Sequence, residues 1–239
     1  MADIDTRMVR QVLLDQRHSR MKGGIYHLNQ IEMAYNSNHI EGSQLTEEQT
    51  RRIFETQTID GQTSVDDIVE TVNHFAMFGY MLDHLEDPLD AGKVKTYHRL
   101  LKQGTSDADK PWFALGDWKR LANEVGGKST TPPDRVDSAM SELLARPSPT
   151  TVEDIADWHS AFETIHPFQD GNGRVGRIIM FEQCLNRSVA PFIVLDSHKD
   201  YYYRGLANYA SEHGWLVDTF KAFQDSYAAR YAGMIPSSR

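Results

Sequence analysis

The chain has 239 residues, 40% hydrophobic and 25% charged, with a formal net charge of −9. That length suits one domain with an appended helical arm, and the apolar share can fill a sizeable core. The acidic balance lacks the basic footprint of a protein that grips nucleic acid, and no apolar run reaches the roughly 18 residues of a membrane span.

In chain order, Met1-Ala2-Asp3-Ile4-Asp5 has neither the basic start nor the apolar run of a secretory leader. A first helical stripe, Met8, Val9, Val12 and Leu13, is read as a homodimer contact. Ile25, Leu28, Ile31 and Tyr35 make the next, with Gly42 as its cap. Ser64-Val65-Asp66-Asp67 signals a start for Ile68, Val72, Phe75, Gly79, Leu82 and Leu85, a run that Pro88 ends. Asp90 caps a helix carrying Val94, Tyr97, Leu100 and Leu101, closed by Gly104. Lys110 to Pro133, with Pro111, Gly116, Gly126, Gly127, Pro132 and Pro133, reads as loops or a short hairpin. Thr150 and Glu153 read as a capping box ahead of Ile155, Trp158, Phe162 and Ile165. The lone cysteine, Cys184, falls in an apolar helical stretch and reads as a small buried residue, which fits a cytoplasmic compartment. Leu216, Phe220, Phe223, Tyr227 and Tyr231 form the last stripe. The fold class is all-α with one hairpin. The chain divides into an N-terminal helical region, 1–60, and a core, 61–239, as one unit.

The segment His166-Pro167-Phe168-Gln169-Asp170-Gly171-Asn172-Gly173-Arg174-Val175-Gly176-Arg177 is the stretch that carries chemistry. A Gly-rich loop here feeds a helix that starts near Arg174. The first N–H groups of a helix have no internal acceptor, so such a junction attracts anions. Gly171 and Gly173 allow close backbone approach to an oxyanion. Arg174 and Arg177, three apart, project to neighbouring positions where both can reach phosphate oxygens. Two arginines in a first turn oppose the helix dipole unless an anion joins them. Asp170 offers a hard oxygen ligand for Mg²⁺ beside phosphates, and His166 a proton acceptor near neutral pH. A bare Gly-Asn-Gly turn is the simpler alternative, but it leaves the arginines unexplained.

This segment resembles the signature of the Fic family, His-x-Phe-x-[Asp/Glu]-Gly-Asn-Gly-Arg-x-x-Arg, at every defined position. The resemblance, covering about residues 30 to 225, implies a Fic-type helical bundle with a small β-hairpin flap beside the active site. It implies a nucleotidyltransferase that moves AMP from Mg-ATP to a Ser, Thr or Tyr hydroxyl of a target protein, or of itself. In that scheme His166 deprotonates the hydroxyl, Phe168 anchors the loop in the core, and Asp170 binds Mg²⁺. Gly171, Asn172 and Gly173 form the anion hole, Arg174 supports the phosphates, and Arg177 holds the γ-phosphate. Ser37-Asn38-His39-Ile40-Glu41-Gly42 is similar to the family's inhibitory motif, [Ser/Thr]-x-x-x-Glu-[Gly/Asn], with Glu41 pairing with Arg177. Removal of AMP by the same site would be compatible with this motif.

Gly116-Asp117-Trp118-Lys119-Arg120 with the following Asn123 and Thr131-Pro132-Pro133 resembles the flap region, where target backbone is added as a strand. The flap is bracketed as Glu124, Val125, Gly126, Gly127, Lys128 and Ser129, and Lys119 stands where the family often has Arg. Tyr202 and Asn208, in Tyr201-Tyr202-Tyr203 to Asn208, fall where the family contacts adenine, although aromatic residues at helical spacing are equally expected of a core. Gly173, in place of Lys, argues against the family's phosphotransferases. Transfer of another nucleotide, or a nucleotide sensor without transfer, is the alternative function.

Overall fold

The three-and-four spacing is realised as ten α-helices among the described residues, 4–236 of a computed structural model. Met1, Ala2 and Asp3, part of the leader reading, lie outside them. The helices are α1 (Thr6–Ser19), α2 (Ile25–Ile40), α3 (Glu47–Thr56), α4 (Val65–Asp83), α5 (Ala91–Lys102), α6 (Pro133–Leu144), α7 (Val152–Ile165), α8 (Asn172–Arg187), α9 (Lys199–Ala207) and α10 (His213–Tyr231). One hairpin, β1 (Glu124–Val125) and β2 (Lys128–Ser129), pairs antiparallel with Glu124 opposite Ser129 and Val125 opposite Lys128. Gly126 and Gly127 both take positive φ, 57° and 73°, as the tight two-residue hairpin turn requires. The all-α fold with a small hairpin is as the sequence implies.

Local chemistry explains the starts. The Asp5 carboxylate accepts from the N–H groups of Arg7 and Met8 at the head of α1. Gly24 cannot cap α2, and the Gln16 side chain of α1 reaches over to accept from Tyr26 N at 3.0 Å. Asp90 caps α5 by accepting from Lys93 N at 2.8 Å. The box before α7 is Thr151 with Asp154, one residue beyond the expected Thr150 and Glu153. Asp154 wins because its carboxylate gathers the N–H groups of both Thr150 and Thr151, whereas Glu153 pairs outward with Lys221.

Helix α8 is buried nearly all round and touches both apolar clusters, as a central helix must. Val175, Ile178, Ile179 and Phe181 pack with α1, α4, α5 and α7; Met180 and Cys184 face Ile155, Phe192, Tyr202 and Phe220. Cys184 is buried and unbonded to another sulfur, as read. Of the stripe read as a dimer contact, Val9 and Leu13 are fully buried in the chain's own core, and Met8 and Val12 are half-buried.

The stripe read along α4 holds at its C-terminal end, where Gly79, Leu82 and Leu85 are buried, and shifts before it: Val72 is exposed, and Thr71, Asn73 and His74 face inward with Met77, Phe78 and Met81. Polar residues can face inward there because Asn38 donates to Thr71 Oγ1 and Asn73 donates to the Leu101 carbonyl. The helix also stops at Asp83, five residues before Pro88. Two helices, α3 and α6, are passed over in the sequence reading, although α6 buries Val136, Met140 and Leu143 on one face; a Thr46–Gln49 capping box and Pro133 at the first turn mark their starts.

Candidate active site

The loop between α7 and α8 is fastened from three sides. His166 terminates α7 in the left-handed region (φ 51°, ψ 63°), with its N–H on the Phe162 carbonyl at 2.9 Å. A non-glycine residue holds that conformation only where its surroundings over-determine it, a recurrent mark of functional sites. Phe168 is wholly buried, stacked on His98 with centroids 4.1 Å apart and tilted against Trp118. Behind it, Lys119 N donates to the Pro167 carbonyl at 2.8 Å and Asn123 Nδ2 to the Phe168 carbonyl at 3.1 Å.

Asn172 does not offer its side chain to an anion. Its Oδ1 accepts from Phe168 N at 2.8 Å and its Nδ2 donates to the Phe168 carbonyl at 2.9 Å, closing the loop on itself. What the α8 start has left to offer an anion is its backbone N–H groups. Gly171 caps α8 at φ 82°, and a Cβ there would approach Leu101 at 3.1 Å. A Cβ on Gly173 would collide with Glu41 Oε1 and press on Arg177. The missing side chain lets α5 pack close at Gly171, and lets Glu41 and Arg177 meet over the start of α8 at Gly173.

The two arginines are buried and already partnered. Arg177 Nη2 donates to Glu41 Oε1 at 2.6 Å and to the Ser37 carbonyl at 3.0 Å, while its Nε donates to Ser37 Oγ at 2.8 Å. Ser37 and Glu41, at the end of α2, therefore converge on the guanidinium expected of them. Burial works against the charge on Arg177, and Glu41 outweighs it, raising the guanidinium's proton affinity. Arg174 pairs with Glu70 of α4 and, at 3.3 Å, with Asp170. Lys102 of α5 also donates to Asp170, at 2.6 Å. Burial opposes ionisation of Asp170, but Arg174 and Lys102 overcome it and hold the carboxyl down at about 2. The imidazole of His166 is lowered to about 4, first by burial and then by the Lys119 ammonium. It is therefore an unprotonated base at neutral pH.

Among the described residues, no cluster of three or more His, Cys, Asp or Glu side chains could hold a metal ion alone. Asp170 remains nearly half exposed at the mouth of the loop. One carboxylate, with water and phosphate oxygens completing the shell, is a donor set that suits Mg²⁺ bound with a nucleotide.

Other expected residues lie around this centre with mixed fortunes. Tyr202 is fully buried, its hydroxyl 2.7 Å from His159 Nε2 and its ring 6.0 Å from the Arg177 guanidinium, so its side chain belongs to the core beneath the site. Asn208 caps α9, with Nδ2 donating to the Arg204 carbonyl at 2.8 Å. The flap residues Glu124, Val125, Lys128 and Ser129 are exposed, and Lys128 Nζ donates to the Ala207 carbonyl at 3.0 Å, so the hairpin leans on the end of α9. Sequence reasoning missed Glu70, Lys102, His98 and Glu163. Only Glu163, three residues before His166, carries a local signal; the others arrive from distant helices.

The match to known proteins agrees with this geometry. Residues 88–184 match the model of the Fic/DOC family. The chain is 29% identical over 184 residues to a Protein adenylyltransferase Fic of Culex quinquefasciatus, covering 72% of this chain and 35% of that one. A protein of the same name from Drosophila melanogaster is 29% identical over 183 residues, covering 72% and 36%. The chain thus spans about a third of the length of the curated relatives it matches. In fold it is similar to Fic-1 (residues 134–508) of C. elegans, with a TM-score of 0.71 at 22% identity over 95% of this chain and 71% of that one. It is also similar to a Fic domain containing signaling protein of Bacteroides thetaiotaomicron, with a TM-score of 0.69 at 21% identity over 94% and 93%. The full motif, on a fastened loop before α8, thus lies within the stretch, residues 88–184, that matches the Fic/DOC family model.

Proposed function

We propose that this chain is a protein adenylyltransferase that moves AMP from Mg-ATP to a Ser, Thr or Tyr hydroxyl and is restrained by Glu41. The observation that carries the reading is the convergence on one loop of an unprotonated His166, two buried arginines and the α8 N-terminus, which Glu41 covers at Gly173. The relatives named as adenylyltransferases support AMP as the transferred group.

In the transfer, the target hydroxyl gives its proton to the His166 imidazole as its oxygen bonds to the α-phosphorus. The bond from that phosphorus to the bridging oxygen breaks, and pyrophosphate leaves. The α8 N–H groups receive charge developing on the α-phosphate, a contribution that preorganised donors make without reorganising. Arg174 and Arg177 orient the outer phosphates. Mg²⁺, held by Asp170, would neutralise phosphate charge. The exposed Glu124–Ser129 hairpin would receive target backbone along its edge. A target that docks this way would present its hydroxyl beside His166.

The test is to incubate the chain with ATP radiolabelled at the α-phosphate and, separately, at the γ-phosphate. Label from the α-position on protein, lost in His166→Ala, supports the reading. Label from the γ-position alone would overturn it in favour of phosphotransfer.

A further inference from the structure

Glu163 stands one helical turn before His166 on α7 and takes no part in the scheme above. Its side chain is largely enclosed, and its Oε1 is buried without a hydrogen bond. Nδ1 of His166 is likewise buried without one. The nearest approach between the two groups is 3.9 Å, from Nδ1 to Oε2. An enclosed donor or acceptor left unpaired costs about 1–3 kcal/mol, so an unpaired Nδ1 nearest to Oε2 of a carboxyl whose Oε1 is itself unpaired has an incentive to close the remaining gap. Catalytic hydrogen bonds are commonly long in a resting site and tighten when substrate is engaged. A Cβ on Gly176 would meet Glu163 Oε1 at 2.8 Å, so the absence of a side chain at that position lets α8 lie against the carboxyl.

We propose that Glu163 is a positioning residue for His166: its carboxyl accepts a hydrogen bond from Nδ1–H and thereby leaves Nε2 as the atom that takes the target hydroxyl's proton. An imidazole carries its lone pair on whichever nitrogen is not held as a donor, so an acceptor at Nδ1 fixes the reactive tautomer. The inference rests on the reading of His166 as the base.

The surroundings determine which form of the carboxyl does this. His159 Nε2 lies 3.7 Å away on the same helix. Arg177 of α8 and Glu41 of α2 act on it with opposite sign, and Tyr202 and Tyr203 of α9 lie within its field. Lys119, Asp170 and Glu41 act on the His166 side. Burial dominates and raises Glu163 to about 8, with Arg177 opposing and Glu41 reinforcing. At neutral pH the group is therefore a carboxylic acid whose carbonyl oxygen serves as the acceptor, a role that a glutamine amide can also fill. The backbone carbonyl of Glu163 also raises the imidazole's proton affinity and is the competing acceptor for the same proton.

The experiment compares the full chain with Glu163→Gln, Glu163→Ala and Glu163→Met, the last filling the volume without an acceptor. Each is labelled with ¹⁵N-histidine, and His166 is assigned by its loss in His166→Ala. Long-range proton–nitrogen spectra near neutral pH read the tautomer directly. The parent and Glu163→Gln are expected to hold the proton on Nδ1, and Glu163→Ala and Glu163→Met to shift it toward Nε2. In transfer assays the Ala and Met variants should lose on the order of tenfold or more in kcat with KM for ATP within about twofold, because the carboxyl touches the base and not the nucleotide. An unmoved tautomer in Ala and Met would overturn the proposal and assign the role to the backbone carbonyl. Should His166→Ala keep full transfer activity, the base reading fails, and the tautomer spectra still report separately on the Glu163–His166 contact.

Discussion

Replacing Glu41 by glycine removes the only carboxylate hydrogen-bonded to Arg177 among the described residues. The pair is charge-assisted, at 2.6 Å, with the guanidinium buried and the carboxylate about a quarter exposed. Hydrogen bonds to charged groups are worth about 1.5–3 kcal/mol, and partial exposure places this one toward the lower end. At about 1.4 kcal/mol per factor of ten, freeing Arg177 should raise productive γ-phosphate engagement, and with it the transfer rate, roughly ten- to thirtyfold. The collision that a Cβ at Gly173 would make with Glu41 Oε1 shows that the same carboxylate also covers the anion-binding backbone, so its removal opens both parts of the site. The assay is label from α-phosphate-labelled ATP on a supplied target and on the chain itself, for wild type, Glu41→Gly, Arg177→Ala and the double variant. The double variant should behave as Arg177→Ala alone, since both changes act on one guanidinium. If Glu41→Gly transfers no faster than wild type, or the double variant matches Glu41→Gly, the shared-partner argument is refuted.

Three further outcomes follow from the geometry. Asp170→Ala should weaken the Mg²⁺ dependence of nucleotide binding, read by calorimetric titration with and without Mg²⁺; equal dependence in both proteins would remove Asp170 from the metal's shell. Phe168→Ala should cost about 3–5 kcal/mol in urea denaturation, because a fully buried ring stacked on His98 is lost; a cost under about 1 kcal/mol would show that the loop does not depend on its anchor. Burial holds His74, His98 and His159 at about 3 and His166 at about 4, so from about pH 4 to 6.5 the unfolded chain binds protons that the folded chain refuses. Stability should therefore rise with pH across that window, by up to about 1.4 kcal/mol per unit for each group, with Glu163 opposing above about pH 4.5. Urea midpoints that fall over the same range would contradict this.

Much of the site was legible because its parts are local in sequence. His166, Phe168, Asp170 and the glycines occupy one loop, and the structure assembles them without help from chain topology. The Glu41–Arg177 pair is 136 residues apart and was reached only through the resemblance of Ser37–Gly42 to a known motif. The groups around Asp170 had no such signal: Lys102, which donates to it, and Glu70, which pairs with Lys102 and Arg174, are ordinary charged residues on helices whose visible stripes are apolar. The polar buried face of α4 misled the periodic reading for a related reason. Thr71, Asn73 and His74 look like surface in a hydropathy pattern, and only the tertiary hydrogen bonds of Thr71 and Asn73 reveal that this stretch of the face is inside. Asn172 and Tyr202 lie near the loop, and their side chains are committed to the Phe168 backbone and to His159.

In the proposed mechanism Arg177 joins the restraint to the base. A buried cation requires a compensating charge, and removing its partner leaves an uncompensated charge in the interior. In the resting chain Glu41 supplies it. The other carboxyl acting on Arg177 is Glu163, which burial keeps raised to about 8 and which Glu41 pushes further in the same direction. Taking Glu41's charge away therefore acts twice on Glu163: the repulsion goes, and the attraction of Arg177 is no longer shared. Both effects lower the pH at which Glu163 ionises, and an ionised neighbour at Nδ1 makes His166 a stronger base. Any event that lifts Glu41 out would thus release the phosphate site and strengthen the base together. Carbon-13 titration of the Glu163 carboxyl in the parent and in Glu41→Gln measures the link. The midpoint should move downward from about 8 in the variant; a midpoint that stays put would show that Glu41 and Glu163 do not sense one another through Arg177.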